Sequence, residues 1–101
     1  MKFFYIREKD EKGVPYRRGG MAVGYEPYNE TLLISFARCS INDVWDKQKA
    51  QLICVGRLAR GKFKEIPMPA KGTLYDTLIK EAQVYEQKVQ EAYGTRGHVQ
   101  P

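Results

Sequence analysis

The chain has 101 residues, 43% hydrophobic and 29% charged, with a formal net charge of +5, which fits one domain and leaves no room for two independent cores. This balance excludes a disordered tract, a collagen-like repeat and a disulfide-rich mini-protein. No apolar run approaches the roughly 18–20 residues that span a bilayer. The opening Met1-Lys2-Phe3-Phe4-Tyr5-Ile6-Arg7 turns charged too soon for a signal-peptide core, so a cytoplasmic protein with reduced thiols is expected.

Lys2 to Glu8 is rich in aromatic and β-branched residues and reads as a first strand. Phe3 and Tyr5 point to one side of it and Phe4 and Ile6 to the other, so both faces need cover. Lys9 to Pro15 is a polar loop punctuated by Gly13 and Pro15. Tyr16-Arg17-Arg18-Gly19-Gly20 leads into a second strand, Met21 to Tyr25, and Pro27-Tyr28-Asn29-Glu30 signals a turn. Thr31 to Cys39 is the clearest strand: Leu32, Ile34 and Phe36 share one face, and Leu33, Ser35, Ala37 and Cys39, mostly small, share the other. Short polar connections between these strands predict an antiparallel meander.

The period changes at Ser40. Ser40-Ile41-Asn42-Asp43 matches a capping serine with an acid three residues on. Ile41, Val44, Trp45, Gln48, Leu52, Val55 and Ala59 then recur at helical spacing, which predicts their burial, with Trp45 in the first turn and Gly61 as the stop. Ile53, Cys54 and Leu58 broaden that stripe. Gly56 in the helix interior suggests a close backbone approach. Pro67-Met68-Pro69 forbids helix and predicts an extended connector. Thr73-Leu74-Tyr75-Asp76 repeats the capping pattern and opens a second helix to about Tyr93. Its seam is Tyr75, Leu78, Ala82, Tyr85, Val89 and Ala92. The expected fold is α+β: a three-stranded antiparallel sheet followed by two helices packed mainly on one face (β-β-β-α-α), one domain over 1–93, with a flexible tail over 94–101.

The residues of catalysis are sparse. The one histidine, His98, falls in the expected tail, where proton transfer cannot be positioned. Cys39 and Cys54 lack an ordered histidine to activate them and read as small buried residues. Two cysteines and one histidine are too few for a metal site. The glycines match neither a P-loop nor a dinucleotide fingerprint. No enzyme activity and no cofactor are expected.

The charge is uneven. Residues 41–72 hold 7 basic and 3 acidic side chains, a net of +4, whereas residues 1–40 sum to +2 and residues 73–101 to −1. Lys49, Arg57, Arg60 and Lys64 would come together on a helix continued slightly past Gly61, and Tyr16, Arg17 and Arg18 form a second basic-aromatic group. Guanidinium groups can grip phosphate or carboxylate bidentately, so either cluster is a candidate site for an anion or a partner. The alternative is a solvated helix face whose long side chains cover apolar surface. Tyr16, Tyr28, Trp45 and Tyr85 are the candidate interface aromatics. The second-helix seam over 73–93 could pack on the sheet or pair with a second copy.

Ile34-Ser35-Phe36-Ala37-Arg38-Cys39-Ser40, then Asp43, Asp46-Lys47 and Gly56-Arg57-Leu58 with Gly61, together with the opening Phe4-Tyr5-Ile6-Arg7, resemble a loose group of small accessory (early) proteins of tailed bacteriophages. The resemblance covers residues 3–62 and leaves the last helix out. It implies a phage protein made in a bacterial cytoplasm, of a kind that inhibits a host or anti-phage defence machine by occupying a surface. The two mechanisms that fit a basic chain are a protein-protein blockade and, as the alternative, capture of nucleic acid or a (cyclic) nucleotide by the Arg and Lys clusters.

Overall fold

The computed structural model describes the backbone of residues 1–99 and the side chains of residues 1–92. Its elements are β1 (Lys2–Ile6), β2 (Arg18–Tyr28), β3 (Thr31–Val44), α1 (Lys47–Ala59), β4 (Lys64–Pro67) and α2 (Leu74–Val99). The fold is α+β with the expected meander, but the sheet has four strands, not three, in the order β1-β2-β3-β4 with every pair antiparallel. The added strand lies in the segment read as a connector, so the element order is β-β-β-α-β-α. It pairs with Thr31–Ile34 alone. Short and ended by Pro67, β4 is suited only to an edge.

The register of β2 against β3 sorts the side chains by size. Ala22 lies opposite Ala37 and Gly24 opposite Ser35, while Val23 lies opposite Phe36 and Tyr25 opposite Ile34. Because successive side chains alternate across a strand, one face of the sheet is small and the other large. α1 packs on the small face through Ala50 and Cys54, and α2 packs on the large face through Leu78 and Ala82. The helices therefore cover opposite faces, which corrects the expectation of both on one side. The bulky residues on both faces of β1 demand that arrangement.

α1 sits close to the sheet because nothing large intervenes. Ser35 Oγ donates to the Cys54 carbonyl at 2.9 Å, and a Cβ on Gly24 would lie 3.0 Å from Cys54 Cβ. The close approach is thus at Gly24 and not, as expected, at Gly56, where an added Cβ would meet only the Arg60 guanidinium at 3.6 Å. The expected stripe is also turned outward: Leu52 is 72% exposed and Val55 is exposed, with Gln48 and Ala59 beside them. A face of Gly, Ala and Ser accepts the small pair Ala50–Cys54 in close contact and would hold a leucine further off.

The helix boundaries shift for physical reasons. β3 continues past Cys39 to Val44, which pairs with Arg18, and Trp45 N–H donates to the Arg17 carbonyl at 2.9 Å. Ser40 therefore does not cap a helix; its Oγ accepts from Asn42 N–H at 3.2 Å within the strand. Asp46 is the cap, accepting from Lys49 N–H at 3.0 Å, and Trp45 precedes the first turn. At the other end Gly61, with φ +74°, closes α1 as expected. The N–H groups of Gly61 and Lys62 donate to the carbonyls of Leu58 and Arg57 at 3.1 and 2.8 Å, a Schellman closure. α2 opens after Thr73, whose hydroxyl donates back to Ala70. The helix passes through Gly94 to Val99 instead of ending near Tyr93, since glycine weakens a helix interior by about 1 kcal/mol without obliging it to stop. The expected tail is helical as far as Val99, and residues 100–101 lie outside the described residues. No helix among them is long and apolar enough to cross a membrane.

Two glycine substitutions test this packing in opposite directions. Gly56→Ala, on the open side of α1, is expected to raise stability by about 0.5–1 kcal/mol. Gly24→Ala is expected to lower it by about 1–3 kcal/mol through overpacking, since the added Cβ would lie 2.7 Å from Met1 Sδ and 3.0 Å from Cys54 Cβ. Urea unfolding midpoints of the two variants read both signs; a stabilising Gly24→Ala would refute the close approach of α1.

Candidate functional site

The loop between β1 and β2 is tightly folded. Asp10 Oδ1 accepts from the N–H groups of Lys12 and Val14 at 2.8 and 2.9 Å, Gly13 has φ +81°, and Tyr16 N–H donates to the Glu8 carbonyl at 3.0 Å. The Arg7 guanidinium donates to the Tyr16 carbonyl and lies 4.7 Å over the Trp45 ring, which also meets the Tyr5 ring edge-on at 6.0 Å. Gly20 makes room for this pair: a Cβ there would come within 2.7 Å of Arg7 and 2.9 Å of Trp45. Trp45 is therefore half-buried and held by a cation–π contact, with its role in anchoring the chain between β3 and α1.

The irregularity between β2 and β3 finishes the surface. The short step from Arg18 to Gly20 faces the longer run from Cys39 to Val44, so the segment around Ile41 bulges. The Arg18 side chain donates to the Asn42 carbonyl and pins the bulge. Ile41 and Val44 are thereby pushed into solvent, 72% and 56% exposed, beside Tyr16 at 51%. With Arg17 and Arg18 they line a concavity of about 520 Å³. Three of the expected site residues, Tyr16, Arg17 and Arg18, meet here. The sequence reading missed Ile41 and Val44, having assigned both to the buried stripe of a helix.

The second basic group is divided. Arg57 and Lys64 line a groove of about 610 Å³ between the end of α1, the start of β4 and α2. Arg57 Nη1 donates to the Phe36 carbonyl at 2.7 Å and to Tyr85 Oη at 3.1 Å, and Lys64 pairs with Glu81 at 2.5 Å. Tyr85 stacks on Phe36 at 4.5 Å. Arg60 is the exposed C-cap of α1, and Lys49 stands in the first turn among Asp43 and Asp46. No row forms, because the chain reverses at Gly61. Tyr28 is exposed at the β2–β3 hairpin, next to Asn29 with φ +56°, and lines neither concavity. Of the seam on α2, Leu78 and Ala82 are buried on the sheet and Tyr85 packs beside them, while Tyr75 is exposed with its ring 5.4 Å from Phe4.

Both cysteines are free thiols, Cys54 buried and Cys39 half-buried rather than buried as expected. Burial pushes the Cys54 thiol pKa up, against the opposing effects of Ser35, the Gly24 backbone and the Arg57 charge. At Glu86 burial pushes upward too, but hydrogen bonds from Arg38, at 2.6 Å, and from Gln90, with the Arg38 charge, hold the carboxyl below its ordinary value. Among the described residues no group of His, Cys, Asp and Glu is arranged to hold a metal ion. No protein-family model, curated protein or solved structure matches the chain.

Two solution measurements follow from these environments. A thiol reagent at neutral pH is expected to label Cys39 in the native protein and Cys54 only after denaturation, because a buried thiol with a raised pKa presents no thiolate. Rapid native labelling of Cys54 would contradict its burial. The depressed Glu86 pKa contributes stability that is present above the ordinary carboxylate pKa of about 4.3 and lost as pH falls through the lower native value. Glu86→Gln should therefore lose less melting temperature on acidification through that window than the wild type.

Proposed function

We propose that this protein is a non-catalytic binding protein that docks on a protein partner through the Tyr16–Arg18 and Ile41–Val44 face and inhibits that partner by occupying its surface. The observation that supports this most is the exposure of Ile41, Val44 and Tyr16 around one concavity edged by Arg17 and Arg18. An apolar centre with tyrosine and arginine beside it has the composition of an interface hot spot. Exposed apolar residues gathered this way cost solubility unless something covers them. The supports beneath the face, the Asp10 turn, the Arg7–Trp45 contact and the Arg18 bond to Asn42, make it a preformed surface, which lowers the ordering cost of association.

Charge favours a partner whose docking segment is apolar and acidic, to meet the two arginines. The resemblance of residues 3–62 to phage accessory proteins suggests a host or defence-system protein as that partner. The non-catalytic part of the reading rests on the single histidine of the sequence, His98, and on the buried Cys54 thiol with its raised pKa.

The test is affinity capture from bacterial lysate, with and without nuclease, using wild type and an Ile41→Glu/Val44→Glu variant. Both positions are exposed, so the variant should melt like wild type. A stoichiometric protein that survives nuclease and is lost in the variant is the expected result, corresponding to an affinity loss of at least about 30-fold for a hot spot of 2 kcal/mol. Capture that disappears on nuclease digestion, or is unchanged in the variant, would sink the reading.

A further inference from the structure

The groove at the end of α1 is a different surface with an electrostatic imbalance of its own. It is bounded by the last turn of α1, by the Gly61 reversal that delivers Lys62 and Phe63, and by one side of α2. Glu81, Val84, Tyr85 and Lys88 recur on α2 at steps of three and one, which places them on a single helical face. The floor is β3 at Ile34 and Phe36, which belong to the buried core, and β4 pairs with β3 no further along than Ile34. Four cations, Arg57, Lys62, Lys64 and Lys88, surround the groove against one carboxylate, Glu81. Lys64 takes that carboxylate at 2.5 Å. Arg57, Lys62 and Lys88 have no acidic partner among the described residues.

Arg57 is the informative one. It is half-buried, yet its two acceptors, the Phe36 carbonyl and Tyr85 Oη, are neutral. They fix where the guanidinium points without cancelling its charge. Partly burying an uncompensated cation is unfavourable unless an anion joins it. The planar fork of arginine matches a phosphate well, and Lys62 and Lys88 stand on either side of the groove as further point charges. The rest of the wall is apolar: the stacked Phe36–Tyr85 pair, then Phe63 and Val84, exposed despite their size. A volume of about 610 Å³ lies within the range of small-ligand sites, about 300–1,000 Å³.

We propose that this groove binds a small nucleotide, with its phosphate on Arg57, Lys62 and Lys88 and its flat ring against Phe63 and Tyr85. Phosphate alone would use only the cationic half of the groove. The ring uses the apolar half, which a purely solvated basic face would not provide. The site does not depend on the protein-docking face and stands or falls separately.

Calorimetric titration of the full chain with AMP and with inorganic phosphate, at low and at moderate salt, tests it. AMP is expected to bind at least about tenfold more tightly than inorganic phosphate, since the base stacks on an aromatic side chain and the phosphate alone cannot. Both affinities should weaken with salt. Lys62→Glu/Lys88→Glu changes only exposed positions, so its melting curve should match wild type while binding of both probes falls at least about tenfold, as expected for reversing charges that contact a phosphate. Phe63→Ala should weaken AMP and leave phosphate unchanged. Arg57→Lys should weaken both; where that variant melts early, the lysine pair alone decides. AMP binding no more tightly than phosphate, or binding unmoved by the double charge reversal, would overturn the proposal.

Discussion

The architecture depends on one close contact, the seating of α1 on the small face of the sheet. Gly24 and Ser35 face each other across β2 and β3, Ala22 and Ala37 do the same two pairs along on the same face, and Cys54 and Ala50 settle onto them. The hydrogen bond from Ser35 to the Cys54 carbonyl joins the strand to the helix backbone itself. Once α1 takes that face, the large residues Val23, Tyr25, Leu32, Ile34 and Phe36 can be covered only from the other side, and α2 does so. The same contact fixes the rotation of α1. Ala50 and Cys54 inward means Leu52 and Val55 outward, whatever the apolar periodicity of the helix would otherwise favour.

That competition explains what could be read from the sequence. The alternation of Leu32, Ile34 and Phe36 against Ser35 and Ala37 is a period-two pattern with a size contrast, and it gave the right faces of β3. Gly61 at a helix end is a local signal, and the Schellman closure used it. The start of α1 was read at Ser40; pairing of Val44 with Arg18, which is remote in sequence, carries β3 past it and leaves Asp46 as the cap. The buried face of α1 was misread because hydrophobic periodicity weighs Leu and Val above Ala and Cys, whereas the sheet beneath selects for size. β4 was invisible for a related reason. Lys64-Glu65-Ile66-Pro67 has little apolar alternation, and only the free edge of β3 makes it a strand.

The candidate surfaces divide along the same line. Tyr16, Arg17 and Arg18 are consecutive, so their grouping was legible, but the residues that complete the surface, Ile41 and Val44, arrive through a bulge between strands and looked like helix core. The supposed row of Lys49, Arg57, Arg60 and Lys64 required a helix extending past Gly61. Reversal of the chain instead brings Arg57 and Lys64 to α2, where Tyr85 and Glu81 receive them. A charge count over residues 41–72 could not reveal that Lys49 ends among acids at the opposite end of α1.

Arg57 shows how one side chain meets a structural need and shapes a site. Beyond Ile34 the outer edge of β3 has no strand partner among the described residues, and unpaired edges invite association with other strands. The Arg57 side chain crosses that edge from α1, takes the Phe36 carbonyl and reaches Tyr85 on α2, so helices on opposite faces of the sheet are tied around its rim. Both bonds come from Nη1, so the remaining N–H groups of the planar guanidinium stay available in a fixed geometry that a lysine ammonium does not provide. Because both acceptors are neutral, the tie leaves the positive charge in place at the mouth of the groove. The edge is blocked and the groove is made basic by the same guanidinium, which is why the short β4 and the cationic surface beside it belong to one arrangement.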